Sequence, residues 1–105
     1  LAYVKKTENP VLLMAPEGRD NLAGGALDWP PSGAGRFLSL ITAQGLAVLP
    51  AGGWERDGAL CVRFGPGYAL SIPRGLSADE KDRAVSQIVM KAIANLLPQH
   101  LRGEF

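Results

Sequence analysis

The chain is predicted to be α/β: a βαβ unit with parallel strands, then short strands, then a carboxyl-terminal amphipathic helix, all in a single domain spanning residues 1–105. Three observations carry that prediction. Two apolar runs, residues 11–15 and 46–50, flank a segment with helical apolar spacing. Alternating apolar residues follow between positions 60 and 72. A capping-box sequence at Ser77 then opens a long stripe of apolar residues three to four apart.

The elements follow in order. LAYVKKTEN reads as the tail of a helix that Asn9-Pro10 ends, because proline disfavours a helical residue before it. VLLMA, residues 11–15, is an unbroken apolar run of the kind found in strands covered on both faces. Residues 20–31, with two glycines, Asp28 and Pro30-Pro31, form a long loop. Between Gly33 and Gln44, the residues Ala34, Phe37, Leu38 and Ile41 share one helical face, and Gly45 follows where the helix would end. LAVLP, residues 46–50, is the second apolar run. Strand, helix, strand in that order implies parallel strands joined by a right-handed crossover.

Asp57-Gly58 is a turn signal. Leu60, Val62 and Phe64 alternate with Cys61 and Arg63, and Tyr68, Leu70 and Ile72 alternate again after Gly65-Pro66-Gly67. Both read as short strands with one buried face. In the last element Val85, Ile88, Val89, Ala92, Ile93, Leu96 and Leu97 trace the apolar stripe, Lys81, Asp82, Gln87, Lys91 and Asn95 fall opposite, and Pro98 stops it. This is a helix packed on the sheet; a membrane-surface helix would carry more cations on its polar face.

Composition narrows the function. The chain has 105 residues, 47% hydrophobic and 20% charged, enough for one modest core. Eleven Lys and Arg against ten Asp and Glu leave a net charge of +1, and no basic cluster exceeds Lys5-Lys6, so no nucleic-acid partner is expected. The single cysteine, Cys61, permits no intrachain disulfide and argues against a cysteine-based metal site; it reads as a small strand residue. No stretch reaches the ~18 apolar residues of a membrane span. The longest candidate, FLSLITAQGLAVLP, is split by Gln44-Gly45, and no charged start leads into an apolar leader core. Because it starts at Leu1 and not Met, the chain is expected to be a piece of something longer.

The corner Pro16-Glu17-Gly18-Arg19 follows the first apolar run directly. Ligands bind beyond the carboxyl ends of strands in open α/β sheets. Gly18 permits a sharp turn or a close approach, Glu17 accepts from hydroxyls, and Arg19 offers a donor fork for phosphate or carboxylate. Together they fit a polyhydroxylated, anionic ligand; a solvated turn in which Glu17 and Arg19 pair with each other fits the same residues. SGAG, residues 32–35, opens a helix whose free N–H groups can hold an anion, although close packing of helix on strand explains its glycines as well. His100, the only histidine, has no placed acid or nucleophile and reads as a solvated terminal residue. Trp29, Trp54 and Tyr68 border a ligand groove or pack the rim. No catalytic residue, metal site or cofactor emerges from the residues themselves.

The order VLLMAPEGR, a loop, SGAGRFLSLITAQGLAVLPAGGWE, then LCVRFGPGYAL resembles the carboxyl-terminal half of the phospholipid/glycerol acyltransferases over residues 10–97. The resemblance implies a partial glycerol-acyltransferase-like fold, and a parent enzyme moving an acyl group from acyl-CoA or acyl carrier protein to a glycerol-phosphate or lysophospholipid hydroxyl. It implies acceptor binding by Glu17 and Gly18, with Arg19 displaced from its usual register, and puts Val48, Leu49 and Pro50 near the acyl side. The family's Pro-Glu-Gly-Thr-Arg, preceded by an aromatic residue, is here Ala15-Pro16-Glu17-Gly18-Arg19. The family's catalytic His-x-x-x-x-Asp pair has no counterpart: His100 is followed five positions later by Phe105. The implied partners are the missing amino-terminal half and a lipid acceptor, in a cytoplasmic protein peripheral to the membrane. An exposed sheet edge or face, covered by self-association, is the expected corollary. The alternatives are a non-catalytic α/β module binding an anionic metabolite or a protein partner, and a purely structural domain.

Overall fold

The computed structural model describes Lys6, residues 8–18 and residues 25–105. In chain order they form α1 (Ala34–Thr42), β1 (Ala51–Arg56), β2 (Ala59–Phe64), α2 (Ala78–Ala94) and a short 3-10 turn, Gln99–Leu101. The expected helix tail before Pro10 falls almost wholly outside the described residues, as does much of the expected loop at 20–31.

The capping box starts α2 as its sequence demands. Ser77 Oγ accepts from the Glu80 N–H at 3.2 Å, and Glu80 returns the interaction to the Ser77 N–H at 3.0 Å. Beyond it, Val85 and Met90 are fully buried, and Val89, Ala94 and Leu97 join Ile41 of α1 in the core. The two helices approach so closely that a Cβ on Gly35 would run into the Asp82 carbonyl oxygen. Gly35 therefore serves helix-on-helix contact, where the sequence points to packing on a strand. Gly33 occupies the cap position of α1 with φ 97°, a conformation glycine adopts without strain. The cap that Gly33 lacks comes from across the interface. Asp82 accepts from the N–H groups of Gly33 and Arg36, both at 2.9 Å. At the other end, the Gly45 N–H reaches the Thr42 carbonyl and closes α1.

Asp57 and Gly58 both have positive φ, 52° and 80°, the geometry of a two-residue turn that matches the twist of a β-hairpin. β1 and β2 pair antiparallel, with Arg56 opposite Ala59, Trp54 opposite Cys61 and Ala51 opposite Phe64. The ribbon continues past the strands: Gly65 N–H donates to the Pro50 carbonyl, and Val48 and Tyr68 exchange backbone hydrogen bonds of 2.7 and 2.9 Å. Gly52 rests against Leu96 and Leu97, seating the hairpin on the end of α2.

This topology corrects the predicted βαβ unit. The strands are antiparallel, and among the described residues no parallel pair forms. Residues 46–50 satisfy part of their backbone through the segment that returns across the Asp57-Gly58 turn, a partner reached by closing a short loop. Residues 11–15 run as irregular backbone outside any strand ladder, and of Tyr68, Leu70 and Ile72 only Tyr68 is paired. The expected buried face of residues 60–64 is also overturned, since Leu60, Val62 and Phe64 are all exposed. A second layer over that face is absent among the described residues, so alternation here marks a face without burying it.

The carboxyl terminus clasps the loop before α1. Leu27 N–H donates to the Leu101 carbonyl at 2.9 Å. Trp29 stacks under the Arg83 guanidinium at 3.8 Å, meets Phe105 edge-on at 4.9 Å, and donates its indole N–H to Glu104.

Candidate functional site

Pro10 and Pro16 bracket residues 11–15, and Pro16 disfavours helical geometry at Ala15. This irregular segment lines a cleft of about 1000 Å³ shared with the helix pair and the hairpin. Leu38 and Ile41 of α1 and Val89, Ile93 and Leu97 from α2 and its end form the floor. Residues 10–17 and residues 46–51 with Trp54, Phe64 and Tyr68 line the rest of it. The apolar stripes of both helices thus serve twice, towards each other and towards the cleft. A cavity of this size and polarity is at the upper end of the ~300–1000 Å³ typical of small-molecule sites.

Glu17 lies in the lining, half-buried, and its Oε2 accepts from the Asp28 N–H at 3.0 Å. That bond braces the carboxylate against the loop before α1. Gly18 closes the turn behind it: its N–H reaches the Ala15 carbonyl at 3.1 Å, at φ 69°. A Cβ there would meet nothing within 4 Å, so the backbone angle, and not crowding, is what calls for glycine. Arg19 lies outside the described residues, and with it the alternative of a Glu17–Arg19 pair. Val48, Leu49 and Pro50 line the same cleft as Glu17, with Pro50 buried and Leu49 largely exposed. The charged groups of the described lining are the Glu17 and Glu55 carboxylates, with His100 beside them; no Lys or Arg is among them.

Trp54 and Tyr68 border the cleft, whereas Trp29 belongs to the carboxyl-terminal clasp. The Tyr68 hydroxyl is buried with no hydrogen-bond partner among the described residues, and burial pushes its pKa up, keeping it a neutral phenol. SGAG holds no open anion site, because Asp82 already occupies the N–H groups at the start of α1. Burial works against the Asp82 charge, but hydrogen bonds from the Gly33, Arg36 and Gly35 N–H groups and the nearby Arg36 guanidinium prevail, and the carboxyl stays below its ordinary pKa. Cys61 is a half-buried strand residue. Among the described residues no three of His, Cys, Asp and Glu gather to hold a metal, and no helix is long and apolar enough to cross a membrane.

Sequence spacing missed two participants. Asp82 looked like one more residue on the polar face of its helix; its partner lies 49 positions away, and no local pattern announces it. Glu55 enters the cleft only because the hairpin folds it there. The floor, by contrast, was readable in the two helical stripes.

Comparison of the chain with protein-family models, with curated proteins and with solved structures finds no match in any of the three.

Proposed function

We propose that this chain is the acceptor-binding half of an acyltransferase that transfers an acyl group from acyl-CoA or acyl carrier protein to a glycerol-phosphate or lysophospholipid hydroxyl. The reading rests on the ordered likeness of residues 10–97 to that family. One observation supports it most: Glu17 and the Val48-Leu49-Pro50 segment line one apolar cleft. The cleft takes the lipid's alkyl chain, and Glu17 accepts a hydrogen bond from its glycerol hydroxyl at one end. Gly18 shapes the turn that carries Glu17, and Arg19 is the cation available for phosphate. The amino-terminal half would supply the His-x-x-x-x-Asp pair; general-base help of this kind is worth about 10²–10⁴-fold. These 105 residues alone are accordingly expected to give no acyl transfer when assayed with acyl-CoA and lysophosphatidate.

Calorimetric titration with single-chain lysophosphatidates of rising chain length, kept below micelle formation, tests the binding half of the proposal. Each added CH₂ is worth about 0.8 kcal/mol, so affinity is expected to rise about tenfold for every two carbons. Glu17→Ala should weaken lysophosphatidate by about tenfold or more and leave a hydroxyl-free alkyl phosphate unchanged, since a hydrogen bond to a charged group contributes about 1.5–3 kcal/mol. No binding of either ligand, or equal loss of both on Glu17→Ala, contradicts the assignment. The outward apolar residues of the 11–15 segment and of β2 favour the second reading, a non-catalytic module that binds a protein partner. Absence of lysophosphatidate binding at every chain length would favour it.

A further inference from the structure

Four of the most exposed large apolar residues line the cleft: Val11 and Leu13, the latter fully exposed, with Leu49 and Phe64. Leu60 and Val62 continue the Phe64 face along β2. From these observations we infer that two copies of this chain pack this face against each other about a two-fold axis.

Size is the first argument. At about 200 Å² for a fully exposed large residue, these six present on the order of 800 Å², the share one partner brings to a standard interface, where a lone monomer seldom carries so much. Charge is the second. With a net charge of +1, the copies do not repel one another. Arg63, the only charge on β2, lies on the opposite face, where its guanidinium sits 5.4 Å from the Trp54 ring centre. Glu55 pairs with Leu60 near the hairpin tip, at the rim of the face, where it keeps its water. An anionic membrane is a poorer occupant, because the described cleft lining carries carboxylates and no Lys or Arg. The inference does not rest on the proposed function, but Val11, Leu13, Leu49 and Phe64 also line the cleft, so a cleft ligand and an amino-terminal acyltransferase half would both compete for this face.

Sedimentation velocity of the 105-residue chain, from low micromolar to near-millimolar concentration, tests it. A single reversible monomer–dimer equilibrium is expected. Leu13→Glu with Val62→Glu should weaken the dimer by about 100-fold or more while leaving the helical circular dichroism intact. Leu60→Ser with Phe64→Ser provides the same test should the first variant fail to fold. Lys81→Glu, on the exposed side of α2, should leave the dimer unchanged. A wild-type chain that stays monomeric throughout overturns the inference. So do open-ended growth, a dimer that survives both double variants, or co-sedimentation with phosphatidylcholine vesicles in place of dimerisation.

Discussion

The helix pair and the hairpin treat the same kinds of side chain in opposite ways. Along the seam between α1 and α2, apolar residues face inward, Met90 and Val85 fully, and the one close crossing is made by a glycine; away from the seam, Phe37 and Leu40 of α1 are half exposed. In β2, Leu60 stays 77% exposed and Phe64 65%. The difference lies in what each element has to pack against. A helix stripe can be buried by one neighbouring helix, and α1 supplies it for α2. A two-stranded ribbon has two faces; α2 covers the Gly52 side, and nothing among the described residues covers the other. The helix pair therefore buries its shared seam, while the hairpin and residues 11–15 carry the most exposed apolar side chains.

The largest expected effect comes from making the same truncation in both regions. Met90→Ala should cost about 2–5 kcal/mol through lost contacts and a residual cavity. Leu60→Ala, measured at a concentration low enough to keep the chain monomeric, should fall within about 0.5 kcal/mol of wild type. Urea melts of both variants check this; equal costs would erase the distinction between the regions.

The next effect probes the link that joins the two helices. Asp82→Ala removes a cap from α1 and is expected to cost about 1–2 kcal/mol. Its pH dependence has a definite sign. The folded carboxyl titrates below its ordinary value, so its contribution is present above that value and is lost as pH falls through the depressed one. The advantage of wild type over Asp82→Asn should accordingly hold at neutral pH and shrink below about pH 4. Denaturant melts across pH 2–7 measure it, and a gap that widens in acid would contradict the geometry.

The smallest effect is at the cleft wall. Tyr68→Phe removes a buried hydroxyl with no partner among the described residues, so stability should be unchanged or rise by up to about 1 kcal/mol. A clear loss would mean that the hydroxyl is bonded in solution.

Much of the helical half is legible in the sequence, because its signals are local. Ser77 and Glu80 are three residues apart, Gly45 sits at the end of the α1 pattern, and the stripes repeat every turn. The hairpin turn at Asp57-Gly58 is legible for the same reason. Strand direction is not: the run 46–50 reports that its side chains avoid water, and says nothing about which segment pairs with its backbone. The alternation at 60–64 likewise marks a face without saying whether a layer lies over it. At the site, the family resemblance points to Glu17 and to Val48-Leu49-Pro50, and the fold lines one cleft with both. The Asp82 cap bridges 49 positions and leaves no trace in local spacing.

The cleft itself is best tested by NMR with a lysophosphatidate spin-labelled on its alkyl chain. Amides of Ile41, Val89, Ile93 and Leu97, along the cleft floor, should broaden most, while those of Ala78 and Asp79 at the start of α2, about 15 Å along the helix from Val89 and outside the lining, should broaden least. Broadening confined to residues 11–13 and the outer face of β2, with the floor untouched, would show the lipid adsorbed on exposed apolar surface and would contradict a ligand-binding cleft.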